Sequence, residues 1–155
     1  MEPKTPPLVP ELADHLGYRL RQLSNHVTHS FARKLAAKDV TVAEWALMRS
    51  LLGRPPLAPS RLAEEMGVTR GAITKLADRL IAKDLLAREP DRADKRAQTL
   101  RLTAKGAKFT PELAALADAN EAECFGRLSA EDRRILQRIL TEAVARLGLT
   151  AIPVD

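Results

Sequence analysis

Cysteine is all but missing from this chain: Cys124 stands alone among 155 residues. No intrachain disulfide can form, and a reducing cytoplasmic setting is expected. Aromatic residues are also scarce, at 3%, and the apolar content is mostly Leu and Ala. A β-sandwich, which favours Val, Ile, Tyr and Thr, is therefore disfavoured, and a helical domain is expected. No apolar run approaches the roughly 20 residues of a membrane span. The opening Met1-Glu2-Pro3-Lys4-Thr5-Pro6-Pro7 lacks the apolar core of a signal peptide. Neither a nucleophile–base constellation nor a glycine-rich phosphate loop is present, so an enzyme is not expected. His26 and His29 share one helical face, but two ligands without a nearby Cys, Asp or Glu make a weak metal signal. No metal and no cofactor are expected.

What is abundant is positive charge, and it is concentrated. Between Arg54 and Lys108, thirteen Lys/Arg stand against seven Asp/Glu, an excess of six in a chain whose net charge is +5. A basic patch this local suits a polyanionic partner better than it suits general solubility.

A single domain over 1–155 is expected, mainly α with a small β-wing. Residues 1–10 carry prolines at 3, 6, 7 and 10 and should form a flexible arm. From 11 to 38, Leu12, Leu16, Leu20, Leu23, Val27, Phe31 and Leu35 recur at threes and fours, which predicts one long amphipathic helix. Its apolar stripe is longer than a small monomer needs, which suggests packing against a second chain. Thr41-Val42-Ala43-Glu44 has the form of a capping box opening a second helix, and Gly53-Arg54-Pro55-Pro56 stops it. A short third helix follows from Pro59, Gly67 ends it, and Thr69 caps a fourth. Two helices joined through a glycine in about three residues form a helix-turn-helix.

Leu85 to Arg88 and Gln98 to Leu102 then read as the strands of a hairpin, with Thr99 and Arg101 outward and Leu100 and Leu102 inward. Thr103 starts a fifth helix that Pro111 should kink or restart. Ser129 caps a last helix that ends at Gly148. The expected architecture is a winged helix-turn-helix lobe over 41–102, flanked by dimerisation helices at 11–38 and 103–148.

The outward face of the fourth helix carries the groups needed to read a DNA groove. Arg70 offers a bidentate donor pair to guanine, and Gly71 lets the backbone approach closely. Thr74 suits a phosphate or a thymine methyl, and Lys75 a phosphate or a guanine. Thr69 and Arg79 lie at the two ends of the same basic, hydroxyl-bearing face. Ser60 and Arg61, opening the third helix, are placed for backbone phosphates.

Three stretches of the chain resemble the MarR family of winged helix-turn-helix transcriptional regulators, closest to the MarR/SlyA type. They are Thr41 to Met48, Leu62 to Thr74, and Asp91 to Ala97 followed by Leu100-Arg101-Leu102-Thr103-Ala104-Lys105-Gly106. The last is the most specific. The resemblance implies an obligate homodimer on a pseudo-palindromic operator in double-stranded DNA, with the fourth helices in major grooves and the wings reaching minor grooves. It implies repression relieved by a small aromatic or phenolic ligand, or by oxidation.

On the same grounds Arg96 is the wing residue that enters the minor groove, Arg92 and Lys95 add phosphate contacts, and Asp94 orients neighbouring basic groups. The effector is expected between the dimerisation helices and the lobe, with His15, Tyr18 and His26 on the first helix and Trp45 and Arg49 on the second as candidates. An indole beside a cation suits an aromatic carboxylate or phenolate. Hydroperoxide sensors of the family place their cysteine near the start of the first helix, where this chain has none. Cys124 reads as a small packed residue, with an intersubunit bridge as the open alternative. A redox- or metal-responsive regulator of the same fold, and a winged-helix module that binds protein instead of DNA, are the competing readings.

Overall fold

A computed structural model describes residues 9–154, so most of the arm expected over 1–10 lies outside the described residues. The first described element is a 3-10 turn, Leu12–Asp14, followed by α1 (Leu16–Ala36), α2 (Val42–Leu51), α3 (Pro59–Met66) and α4 (Arg70–Ala82). The hairpin β1 (Leu86–Pro90) and β2 (Gln98–Leu102) comes next, then α5 (Ala104–Phe125) and α6 (Ala130–Arg146). Among the described residues no helix is long and apolar enough to cross a membrane.

Local capping explains most helix starts. Thr41 Oγ1 accepts from Glu44 N at 3.1 Å while Glu44 Oε2 accepts from Thr41 N at 3.1 Å, the reciprocal pair of a capping box. Thr69, Thr103 and Ser129 each accept through the side-chain oxygen from a backbone N–H three residues on. Gly67, at φ +66°, ends α3 in the left-handed region that suits glycine.

The core gathers Leu35, Leu47, Met48, Leu62, Met66, Ile73, Leu80, Leu86, Leu100 and Leu113, drawn from helices α1 to α5 and both strands. Phe31 of α1 meets Trp45 of α2 edge to face, with ring centroids 6.1 Å apart. The wing strands pair antiparallel from Leu86↔Leu102 to Pro90↔Gln98, and Leu57 bridges to Leu100, which pins the segment before α3 to the wing.

Four sequence expectations need correction. The first helix is not continuous from 11: His15 is extended, at ψ 124°, between the 3-10 turn and α1. The turn closes locally, because Asp14 Oδ2 accepts from Glu11 N and the Ala13 carbonyl accepts from Arg19 Nε. The first strand runs two residues further than expected, since Glu89 and Pro90 still face Thr99 and Gln98. Thr99 is buried instead of outward, and its hydroxyl donates to the Glu89 carbonyl at 3.3 Å.

The fourth correction concerns Pro111, which neither ends nor restarts its helix: α5 runs through it unbroken. Pro111 and Ala107 are both exposed, so the hydrogen bond that proline cannot donate is lost on the solvent side.

The terminal helices are unevenly covered. Helix α5 packs along α1, where Asn120 Nδ2 donates to the Val27 carbonyl at 3.1 Å and Lys34 pairs with Glu123 at 2.6 Å. Helix α6 has no buried residue. Leu16, Leu20 and Leu23 on α1, with Ile139, Val144 and Leu147 on or just after α6, remain exposed large hydrophobics.

Candidate nucleic-acid interface

Helix α4 divides as its periodicity demands. Ile73, Leu76, Ala77 and Leu80 are buried, which turns Arg70, Gly71, Thr74, Lys75, Asp78 and Arg79 to solvent. Thr69 spends one lone pair on the cap, and Thr74 donates its hydroxyl to the Arg70 carbonyl at 3.1 Å. At the start of α3, Ser60 and Arg61 are exposed.

Between α3, α4 and the wing lies a cleft of about 370 Å³, lined by Ser60, Arg70, Thr74, Arg88, Arg96 and Gln98 among others. Four side chains singled out in the sequence therefore meet in one place: Ser60, Arg70, Thr74 and Arg96. Lys75 and Arg79 lie on the exposed face of α4 outside this cleft, and Arg92 and Lys95 lie on the exposed outer wing.

The wing tip is shaped by its two aspartates. Asp91 Oδ1 accepts from Ala93 N at 2.7 Å and Asp94 N at 3.3 Å, and Asp94 Oδ1 accepts from Arg96 N at 3.0 Å. Asp94 thus positions Arg96 through its backbone amide, not by pairing with a basic side chain. The loop closes where Asp91 N donates to the Ala97 carbonyl at 3.0 Å.

Two arginines escape a reading of the sequence alone. Arg88, on β1, lines the cleft and is held by Asp78 of α4 at 2.6 Å. An acidic residue alone on a basic helix face is the signal that a cation comes to meet it. Arg54, after α2, makes a two-pronged contact with Glu65 at 2.8 and 3.0 Å, and Arg61 shares the same carboxylate at 3.1 Å. Hydrogen bonds from Arg54 and then Arg61 hold the Glu65 carboxyl at about 2, well below its ordinary 4.5. The Arg54 guanidinium is correspondingly raised, chiefly by its hydrogen bond to Glu65.

The candidate effector residues are divided by the fold. Trp45 and Arg49 share a second cleft, about 390 Å³, with Arg54, Glu65, Ile152 and Pro153 among its walls. His15 lies at the break before α1, His26 is exposed on α1, and Tyr18 is half-buried there with its hydroxyl accepting from Gln22 at 3.4 Å. None of these three lines the Trp45 cleft. Cys124 is a half-buried free thiol.

The MarR family model matches residues 38–97, which hold α2 to α4 and most of the wing. The transcriptional regulator HosA of Escherichia coli is 30% identical over 123 residues, covering 79% of this chain and 90% of that protein. The chain belongs to the MarR family. It is a transcriptional regulator built on a DNA-binding winged helix, not an enzyme.

Solved MarR-family structures share the fold. A point mutant of E. coli MarR in complex with operator DNA superposes with a TM-score of 0.74 at 24% identity, covering 87% of this chain and 99% of that one. BpsR of Bordetella bronchiseptica, whose DNA binding is regulated by 6-hydroxynicotinic acid, superposes at 0.75 with 20% identity, covering 87% and 96%.

Proposed function

We propose that this MarR-family protein is a homodimeric cytoplasmic repressor that grips a pseudo-palindromic operator and is released by a small aromatic ligand. The convergence of Ser60, Arg70, Thr74 and Arg96 on one cleft carries the DNA half of the reading. Arg70 and Thr74 enter a major groove with Lys75 beside them. Ser60, Arg61, Thr69, Arg79, Arg92 and Lys95 hold phosphates, and Arg96 enters the flanking minor groove, where the potential is most negative. The exposed leucines of α1 and apolar face of α6 support the dimer, since such a stripe is costly to leave in water. Two lobes related by a two-fold axis would read half-sites about one helical turn apart.

Selection of bound duplexes from random DNA tests the reading. It should return an inverted repeat, and Arg96→Ala should weaken binding to that repeat by roughly 1–3 kcal/mol. Light scattering should give twice the chain mass at micromolar concentration. A monomer, or selected DNA without symmetry, would overturn the dimer.

A further inference from the structure

Past α6 the chain does not run off into solvent. Gly148, at φ +64°, turns it back to the winged-helix lobe. There Ile152 and Val154 pack against the buried core, and Ala151 reaches Gly67 in the α3–α4 turn. A Cβ on Gly67 would lie 2.6 Å from the Ala151 Cβ, so tail and turn are in tight contact. The next two residues, Ile152 and Pro153, are walls of the Trp45–Arg49 cleft. One short segment thus touches three things at once: the end of a helix with an uncovered apolar face, the cleft, and the turn from which α4 starts.

The cleft has the chemistry of a binding site. Its volume, about 390 Å³, lies in the range of small-molecule pockets, roughly 300–1,000 Å³. Trp45 and Ile152 give it apolar walls. Arg54 is committed to Glu65, whereas Arg49 is exposed at the cleft. A planar ring against the indole side with a carboxylate toward Arg49 uses both features. The tail is held by only a few partly buried apolar side chains, so it opens more easily than any helix around it.

We propose that residues 149–154 form the movable wall of a site for a planar aromatic carboxylate at Trp45 and Arg49. Ala151 transmits occupancy of that site to the turn that sets α4. A ligand that pushes Ile152 and Pro153 outward draws Ala151 off Gly67, and α4 loses a support at its N-terminal end. This rests on the reading that an aromatic ligand, bound at Trp45 and Arg49, releases the DNA, and it adds which segment walls that site and relays its occupancy.

Trp45 is the only tryptophan in the chain, so its emission reports the cleft without labelling. Benzoate serves as the probe, titrated to roughly millimolar concentration, where weak carboxylate binding saturates. The full chain and its Ala151→Gly and Arg49→Met variants are each followed by Trp45 emission and by anisotropy of the selected duplex.

In the full chain benzoate should change the emission and lower operator affinity about tenfold, within the usual range of allosteric coupling. Ala151→Gly, which removes the methyl that meets Gly67 and leaves the cleft lining intact, should keep the emission change and lose most of the release whatever its starting affinity. Arg49→Met should lose both responses. Equal release from the full chain and Ala151→Gly would overturn the relay and leave a ligand-released repressor standing. Release without an emission change would overturn the site at Trp45. No release and no emission change would overturn the aromatic-carboxylate reading as well as the relay.

Discussion

Lys83 Nζ lies 3.1 Å from Glu44 Oε2, and only 2% of that glutamate side chain is exposed. The same oxygen caps α2 through Thr41 N, and the same ammonium donates to the Asp39 carbonyl. The residue that ends α4 is thereby fastened to the loop between α1 and α2. A buried carboxylate stripped of its cation costs more than an exposed pair could ever contribute. Lys83→Met should therefore destabilise the fold by about 2 kcal/mol, somewhat less than a fully buried break because Lys83 is partly solvated. Adding Glu44→Gln should recover part of that loss. A urea midpoint that is unchanged in the single variant would show the pair to be idle.

Gly71 and Gly106 stand in similar helical first turns yet should respond oppositely to alanine. A Cβ at Gly71 meets nothing closer than Thr69 Oγ1 at 3.9 Å, whereas a Cβ at Gly106 would lie 2.0 Å from the Leu85 carbonyl. Gly71→Ala should leave stability equal or raise it by up to about 1 kcal/mol, the helical preference of alanine. If it weakens operator binding, the loss belongs to the DNA contact, since nothing inside the protein crowds the methyl. Gly106→Ala should cost about 3 kcal/mol, because the clash is with backbone that cannot rotate away. Thermal melts paired with anisotropy titrations separate the two.

These residues also show which parts of the molecule can be read from the sequence. Helix starts are legible because a cap depends on residues three apart, as at Thr41, Thr69 and Ser129. The helix-turn-helix is legible because glycine and threonine fall where the turn needs them. The inward position of Thr99 is not, since strand alternation is overridden where the Glu89 carbonyl offers its hydroxyl a partner. Continuity through Pro111 is not either, because it depends on which side of α5 faces water. Asp78–Arg88, Arg54–Glu65 and the return of the tail to Gly67 join residues far apart in the chain. No local pattern encodes them.

Glu65 gives the fold a defined acid limb. Its carboxyl sits at about 2 against an ordinary 4.5, held down first by Arg54 and then by Arg61. A depressed carboxyl stabilises the folded chain fully above its unfolded value and loses that contribution as the pH falls toward the folded one. The window is therefore pH 4.5 down to about 2. Glu65→Gln should be less stable than the parent at neutral pH, with the gap narrowing steadily once the pH falls below 4.5. The gap stays modest, because both partners are about one-third exposed. Urea midpoints of the two proteins at several pH values measure it. A gap independent of pH would mean that the arginines do not act through the charge.

Asp78 places a carboxylate on the face of α4 proposed to meet DNA, which is costly unless it does something there. Its partner Arg88 lies 2.6 Å away and lines the cleft beside Arg96. Held by Asp78, Arg88 is half neutralised and fixed between helix and wing, so it shapes the cleft more than it attracts phosphate. Asp78→Asn should release a full positive charge into the interface. Each added phosphate contact steepens the dependence of log K on log salt by about 0.9. The slope should therefore steepen by up to about one, with the larger gain on random-sequence duplex. Specificity for the selected repeat should fall even as total affinity at low salt rises. An unchanged slope would mean that Arg88 stays out of reach of the phosphates with or without its aspartate.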